Sequence, residues 1–208
     1  MTLRKKLQIT IVCLSVILCT LVTGTIAWLT DKTGSVTNTF TPSNISISLT
    51  EENKGDNYNF QMIPGKTYAK DPKVTVTTDI PCYVFVKVEE NLGAWNEFQT
   101  EGKNFKTFLE YSIAPGWTAV PNTTGVYYFN TTVSTEKNVL VDDKITVSSS
   151  VTKGMMDKLY ANGEVIENVP KLTFTAYAIQ SEYLNYTGAT TDAERALVAW
   201  NTLNAPQN

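Results

Sequence analysis

Histidine is absent from this 208-residue sequence, and cysteine and arginine are scarce. Without histidine the chain cannot form a Ser-His-Asp triad, a Cys-His pair or an HExxH zinc helix. It also has no glycine-rich phosphate loop and no dinucleotide-binding fingerprint. Its acidic pairs, such as Glu51-Glu52 and Asp142-Asp143, are adjacent and would point to opposite faces of a strand, so we interpret them as solvated charges. The sequence predicts no catalytic, cofactor-binding or metal-binding residues, and no enzyme.

The N-terminal residues have the pattern of an export signal. Arg4, Lys5 and Lys6 precede an apolar run at about residues 7–23, and small residues lead to Ala27. The pattern predicts a signal peptide over residues 1–27, cleaved between Ala27 and Trp28, with the rest of the chain outside the cell. An uncleaved anchor is the alternative, since about 20 apolar residues can span a bilayer. Polar residues within the run and small residues after it favour cleavage.

The chain that remains after cleavage is acidic and has one thiol. Removing three basic residues leaves 14 basic against 20 acidic residues, a net charge of -6 instead of -3. This balance disfavours nucleic acid as a partner, because phosphate binding needs a basic surface. Cys82 remains alone and cannot form an internal disulfide. We expect it to be a buried strand residue, and we expect the core to stabilise the domain.

Alternation of period two predicts most of the secondary structure. The odd-numbered positions of residues 45–49 are apolar and the even-numbered ones are serine. In residues 82–88 the even-numbered positions, Cys82 among them, share one face and Tyr83, Phe85 and Lys87 share the other. Turn signals such as Pro64-Gly65 separate such segments. We therefore predict an all-β fold, a jelly-roll-like antiparallel β-sandwich in one domain over residues 28–208.

Two segments predict short helices instead. In residues 152–163 Met155, Met156, Leu159 and Tyr160 are spaced to share one face. In residues 191–203 a capping box between Thr191 and Glu194 predicts a helix start. Ala196, Leu197, Trp200 and Leu203 form its apolar stripe, which we expect to pack on the sandwich.

Three stretches in this order resemble the TasA/camelysin-type family of Gram-positive bacteria. They are "GTIAWLTDKTGSVTNTFTPSNISISL", "MIPGKTYAKDPKVTVTTDIPCYVFVKV" and "LTFTAYAIQSEYL", the last followed by a helix with Ala199-Trp200. The resemblance covers most of residues 20–203. Trp28 stands where the family often has Tyr or Phe, and Pro42-Ser43-Asn44 replaces a glycine-containing turn. The positions that match the family's motifs are Asn38, Phe40, Pro64, Gly65, Asp71, Pro72, Tyr83, Val84, Tyr177, Gln180 and Trp200.

The resemblance implies a secreted subunit of extracellular biofilm-matrix fibres. It implies export with a dedicated, SipW-like signal peptidase and self-association as a homopolymer, with an accessory or anchor subunit at the cell surface as a further partner. It also implies that the segment 28–40 of one subunit completes a sheet of the next. The residues expected to act in this donor strand are Trp28, Leu29, Thr30, Asp31 and Val36.

We expect only part of that segment to be exchanged. Residues 28–36 contain Asp31, Lys32 and Gly34 and cannot form a long self-sufficient strand, whereas Phe40 and residues 45–49 should belong to the subunit's own fold. A monomeric cell-surface adhesin is the alternative function. A camelysin-like metalloprotease is the least favoured, because the chain has no histidine.

Overall fold

The computed structural model describes residues 44–52 and 62–205. The predicted signal peptide, its cleavage site, the donor residues, Asn38 and Phe40 lie outside the described residues. Within the described ranges, no helix is long and apolar enough to cross a bilayer. The strands are β1 (Ile45–Glu51), β2 (Thr67–Ala69), β3 (Pro72–Thr78), β4 (Cys82–Asn91), β5 (Leu109–Glu110), β6 (Thr118–Ala119), β7 (Val126–Thr131), β8 (Thr135–Asn138), β9 (Lys144–Val147), β10 (Tyr160–Ala161), β11 (Glu164–Val165) and β12 (Lys171–Gln180). The α-helices are α1 (Phe105–Phe108), α2 (Lys153–Asp157) and α3 (Asp192–Leu203), and a 3₁₀ helix covers Gly93–Phe98.

Two antiparallel sheets form a sandwich. One has the strand order β1-β3-β8 and the other the order β12-β4-β7-β6. Alternating valines from the two sheets meet in one core cluster, in which Val74, Val76, Val84 and Val86 are fully buried. Cys82 lies in the same cluster as a buried free thiol, as predicted. The prediction of an all-β antiparallel sandwich with few short helices is confirmed.

The four-stranded sheet is buried on both faces, which explains the nearly continuous apolar sequence of β4. The even-numbered residues of β4 face the β1-β3-β8 sheet, whereas Tyr83 and Phe85 of the same strand face α3. The ring centroids of Phe85 and Trp200 are 5.4 Å apart. Helix α3 therefore packs on the sandwich through its apolar stripe, as the sequence predicts.

A third core cluster lies around the small β2-β9-β5 sheet and the short helices. Trp95, from the 3₁₀ helix, is fully buried there and its indole N–H donates to the Met155 carbonyl at 2.7 Å. Helix α2 begins after Thr152, whose hydroxyl accepts from the Met155 N–H. Met155 and Leu159 are buried as expected.

Two sequence-based expectations are wrong at single residues. Tyr160 does not share the buried face of α2, because the helix ends at Asp157 and Tyr160 begins a hairpin strand, where it is 52% exposed. Glu51 is not a solvated charge. It is buried at the end of β1, because the Lys70 ammonium forms an ion pair with it there.

Candidate functional site

The most distinctive surface of the described domain is one side of the sandwich, where strands β1 and β12 form the sheet edges. Strand β1 pairs with β3 alone and strand β12 with β4 alone among the described residues. Cα atoms of the two edge strands come within 8 Å of each other, although they belong to different sheets. We call this pair of edges, β1 and β12, the open side.

Apolar side chains on the open side are incompletely covered. Ile45, Ile47 and Leu49 of β1 and Phe174 of β12 pack against the central cluster but remain partly exposed. The valines of β3 and β4 in that cluster are fully buried. The core therefore reaches the surface along this side.

Within residues 44–52 and 62–205, the open edges lack the usual protection against strand pairing. Natural edge strands are typically short, charged or interrupted by proline. Strand β12 is ten residues long, contains no proline and has its one charge at Lys171, its first residue. Strand β1 has its one charge at Glu51, its last residue, where Lys70 neutralises it. Both edges can thus accept a further strand along most of their length.

The opposite side of the sandwich has different edges. Strand β6 has only two residues and strand β8 only four. The central residues of β8 are charged, and the Glu136 carboxylate lies 3.2 Å from the Lys73 ammonium of the neighbouring strand. We call these edges, β6 and β8, the closed side.

One end of the sandwich is the place where strand β1 begins. Ile45 pairs with Thr78, the last residue of β3, and a three-residue turn leads from there to Cys82 at the start of β4. Residues Gln180 and Thr131 both pair with Cys82 at the same end. A surface pocket of about 440 Å³ lies there, lined by Pro81, Tyr83, Asn130, Thr131, Thr132 and Ser181.

Asp192 holds α3 beside this pocket, and sequence reasoning missed its role. Its carboxylate accepts hydrogen bonds from the Tyr83 hydroxyl at 2.8 Å, the Tyr128 hydroxyl at 2.9 Å and the Asn130 amide at 3.0 Å. Burial and the hydrogen bond to Asp192 raise the pKa of Tyr128 to about 12, and the same causes raise the pKa of Tyr83. Asp192 is the first residue of α3, next to the predicted cap, and only the fold brings it to β4 and β7.

The predicted capping box at the start of α3 is confirmed. The Thr191 hydroxyl accepts from the Glu194 N–H at 3.2 Å, and the Glu194 carboxylate accepts from the Thr191 N–H at 2.9 Å. Glu194 also accepts from the Thr190 N–H at 2.7 Å. These backbone donors hold the pKa of Glu194 at about 2.

Two pairs of adjacent residues that match the motifs, Pro64-Gly65 and Asp71-Pro72, lie at a turn and at the start of a strand. Gly65 has a left-handed φ of 78°, which suits glycine, and its N–H donates to the Val147 carbonyl at 2.7 Å. Pro64 precedes it in the same turn. Asp71 is buried, and the Pro72 carbonyl accepts from the Val139 N–H at 2.9 Å. These residues fix the connections of β2 and β3.

The remaining motif residues surround the four-stranded sheet but do not form one site. Tyr83, Tyr177 and Trp200 pack in the cluster under α3, and the Tyr177 and Trp200 rings meet edge to face with centroids 5.3 Å apart. Val84 points into the opposite face. Gln180 ends β12. These residues therefore position the strands and α3. The sequence patterns did not predict the open side.

The described residues contain no group of three His, Cys, Asp or Glu side chains placed to hold a metal ion. No protein-family model matches the chain, and comparisons with curated proteins and with solved structures find no significant similarity.

Proposed function

We propose that this protein is a secreted structural subunit that polymerises into extracellular fibres by donor-strand exchange. The open side carries the proposal, because it offers two long strand edges that no other described strand pairs with, above a partly exposed core. An added strand there gains backbone hydrogen bonds and apolar cover together.

The sequence before β1 has the composition of such a strand. In an extended chain the even-numbered positions of residues 28–36 share one face, which carries Trp28 and Val36 at its ends and Thr30, Lys32 and Gly34 between them. The two apolar side chains at the ends are suited to cover partly exposed residues such as Ile47 and Phe174. The polar residues between them keep the segment weakly committed to its own domain, as an exchangeable strand requires.

Export fits the same proposal. A signal peptide over residues 1–27, removed by a dedicated peptidase, leaves Trp28 as the first residue of the subunit. A membrane-tethered segment cannot reach a neighbouring subunit, whereas a released one can. Cleavage thus controls when polymerisation begins.

The test compares purified residues 28–208 with residues 37–208 by electron microscopy and size-exclusion chromatography. We expect the longer protein to form fibres and the shorter one to remain a folded monomer with a nearly unchanged β signal in circular dichroism. Loss of residues 28–36 removes the donor but leaves every described strand in place.

Fibres formed by residues 37–208 would contradict the donor-strand mechanism. Unfolding of the shorter protein would also contradict it, because residues 28–36 would then belong to the subunit's own fold. If residues 28–208 stay monomeric under all conditions, a monomeric surface adhesin replaces the fibre subunit as the better proposal.

A further inference from the structure

We infer that the end of the sandwich where β1 begins is the contact surface for a second copy of this chain. We call it the end surface and define it by Pro81, Thr132, Val133, Ser181 and Tyr183. The inference rests on the proposed function and adds to it the place where successive subunits touch.

The first step is the position of the end surface. The turn before β4, the turn after β7 and the loop after β12 meet there, and the Ser181 N–H donates to the Pro81 carbonyl at 2.9 Å. The Thr78 N–H donates to the Ser134 hydroxyl at 3.0 Å and joins the second turn to the end of β3. Because Ile45 pairs with Thr78, the chain enters β1 directly beside these turns.

The second step is the length of the connection. Residues 37–44, eight in number, link the exchangeable segment to β1. Fully extended, they span at most about 29 Å at about 3.6 Å per residue. A folded domain of about 160 residues is on the order of 40 Å across. The neighbour that receives residues 28–36 therefore cannot lie at the far end of this domain, and the end surface is the surface that lies directly beside the start of β1.

The third step is the chemistry of the end surface. Tyr183 is 94% exposed and Val133 is 63% exposed. Tyrosine is enriched among the residues that contribute most of the binding energy of protein interfaces, and Val133 adds apolar area to the same surface. The polar pocket beside them, which Asn130 and Ser181 help to line, supplies hydrogen-bonding groups around that apolar centre.

The fourth step is the conformation of Tyr183. It has a left-handed φ of 62°, which is rare for a bulky residue and indicates local strain. The loop around it is well anchored, because Leu184 and Tyr186 pack against the cluster under α3 and the Tyr186 hydroxyl donates to the Ser181 carbonyl at 2.7 Å. Because the loop is anchored by these neighbours, its backbone loses little freedom when a partner binds.

The test uses substitutions at the end surface with matched controls at the β10–β11 hairpin. Tyr160 and Val165, which pair across that hairpin, are 52% and 62% exposed and serve as the controls. In residues 28–208 we would compare Tyr183→Asn with Tyr160→Asn, and Val133→Lys with Val165→Lys. Light scattering and electron microscopy give the lowest protein concentration at which fibres form.

We expect each end-surface substitution to raise that concentration about tenfold or more, and each hairpin substitution to change it less than about twofold. Thermal unfolding of the monomers separates assembly from folding. Asparagine adopts a left-handed conformation more readily than tyrosine, so Tyr183→Asn should not lower the melting temperature.

The outcomes distinguish the two proposals. If the unmodified protein forms no fibres, the proposed function fails and this inference fails with it. If it forms fibres and the end-surface variants assemble as readily as the hairpin variants, this inference alone is overturned and donor-strand exchange stands.

Discussion

The two sides of the sandwich differ in how far their edge strands prevent pairing with another strand. On the closed side, β6 and β8 have two and four residues, and charged side chains occupy the middle of β8. On the open side, β1 and β12 have seven and ten residues, and their charges stand at their ends. An unpaired edge is a template for another strand, so one side resists pairing and the other invites it.

The difference shows that edge protection is placed selectively in this domain. A sandwich that had to remain monomeric would be expected to protect both sides, because each unpaired edge favours aggregation. The Lys73 ammonium of β3 lies 3.2 Å from the Glu136 carboxylate of β8, so opposite charges lie between β3 and the closed edge. We therefore expect changes on the open side and on the end surface to alter assembly, and changes elsewhere to alter stability alone.

The largest expected effect comes from adding charge to the open side. Ile47→Lys places an ammonium group on the inward face of β1, an arrangement with which natural edge strands avoid pairing. We expect it to abolish fibre formation, while the partly exposed site limits the loss of unfolding free energy to about 1–2 kcal/mol. Fibre yield by electron microscopy and urea unfolding measure the two effects.

Ser48→Lys is the matched control, because Ser48 lies on the same strand and points to solvent. It should leave both fibre yield and stability nearly unchanged. Equal loss of fibres in both variants would show that net charge matters and that the inward face of β1 does not.

A smaller effect, confined to stability, is expected at the face of the sheet that α3 covers. Asp192→Ala removes the acceptor of three hydrogen bonds and leaves the buried Tyr83 and Tyr128 hydroxyls without it. Because Asp192 is itself exposed, water can replace part of the loss, and we expect a cost of about 1–2 kcal/mol. Fibre formation should persist.

The control for Asp192→Ala is Asp157→Ala. Asp157 is also exposed, and its carboxylate pairs with the Lys153 ammonium at 2.6 Å. An exposed pair of this kind contributes less than about 1 kcal/mol, so the control should unfold at nearly the same urea concentration. Loss of fibres in Asp192→Ala would mean that α3 contributes to assembly and would weaken the contrast between the covered face and the open side.

Local patterns in the sequence predict the elements of this fold well. Alternation over residues 82–88 predicts the two faces of β4, and Thr191 with Glu194 predicts the start of α3. Both signals depend on side chains within a few positions of each other, so no tertiary information is needed.

Features that depend on distant contacts could not be predicted in this way. The burial of Glu51 requires Lys70, and the role of Asp192 requires three side chains from β4 and β7. Predicting the open side requires knowing which strands lie at the edge of each sheet. Period-two patterns do not give this, because they are the same for edge and central strands. Strand order therefore carries the information that the sequence pattern lacks.

The smallest expected effect is a pH dependence at the cap of α3. The folded pKa of Glu194 is about 2, below its ordinary value of 4.5, so the folded state favours the ionised carboxylate. This contribution to stability is fully present above pH 4.5 and is lost as the pH falls toward 2. We expect the melting temperature of the wild type to fall more between pH 5 and pH 2 than that of Glu194→Gln, which cannot ionise at this position. Fluorescence of Trp200, which packs on the sheet beside Phe85, should report the loosening of α3 in the same range. Parallel pH profiles for the two proteins would show that the cap carboxylate does not stabilise the helix in the manner described.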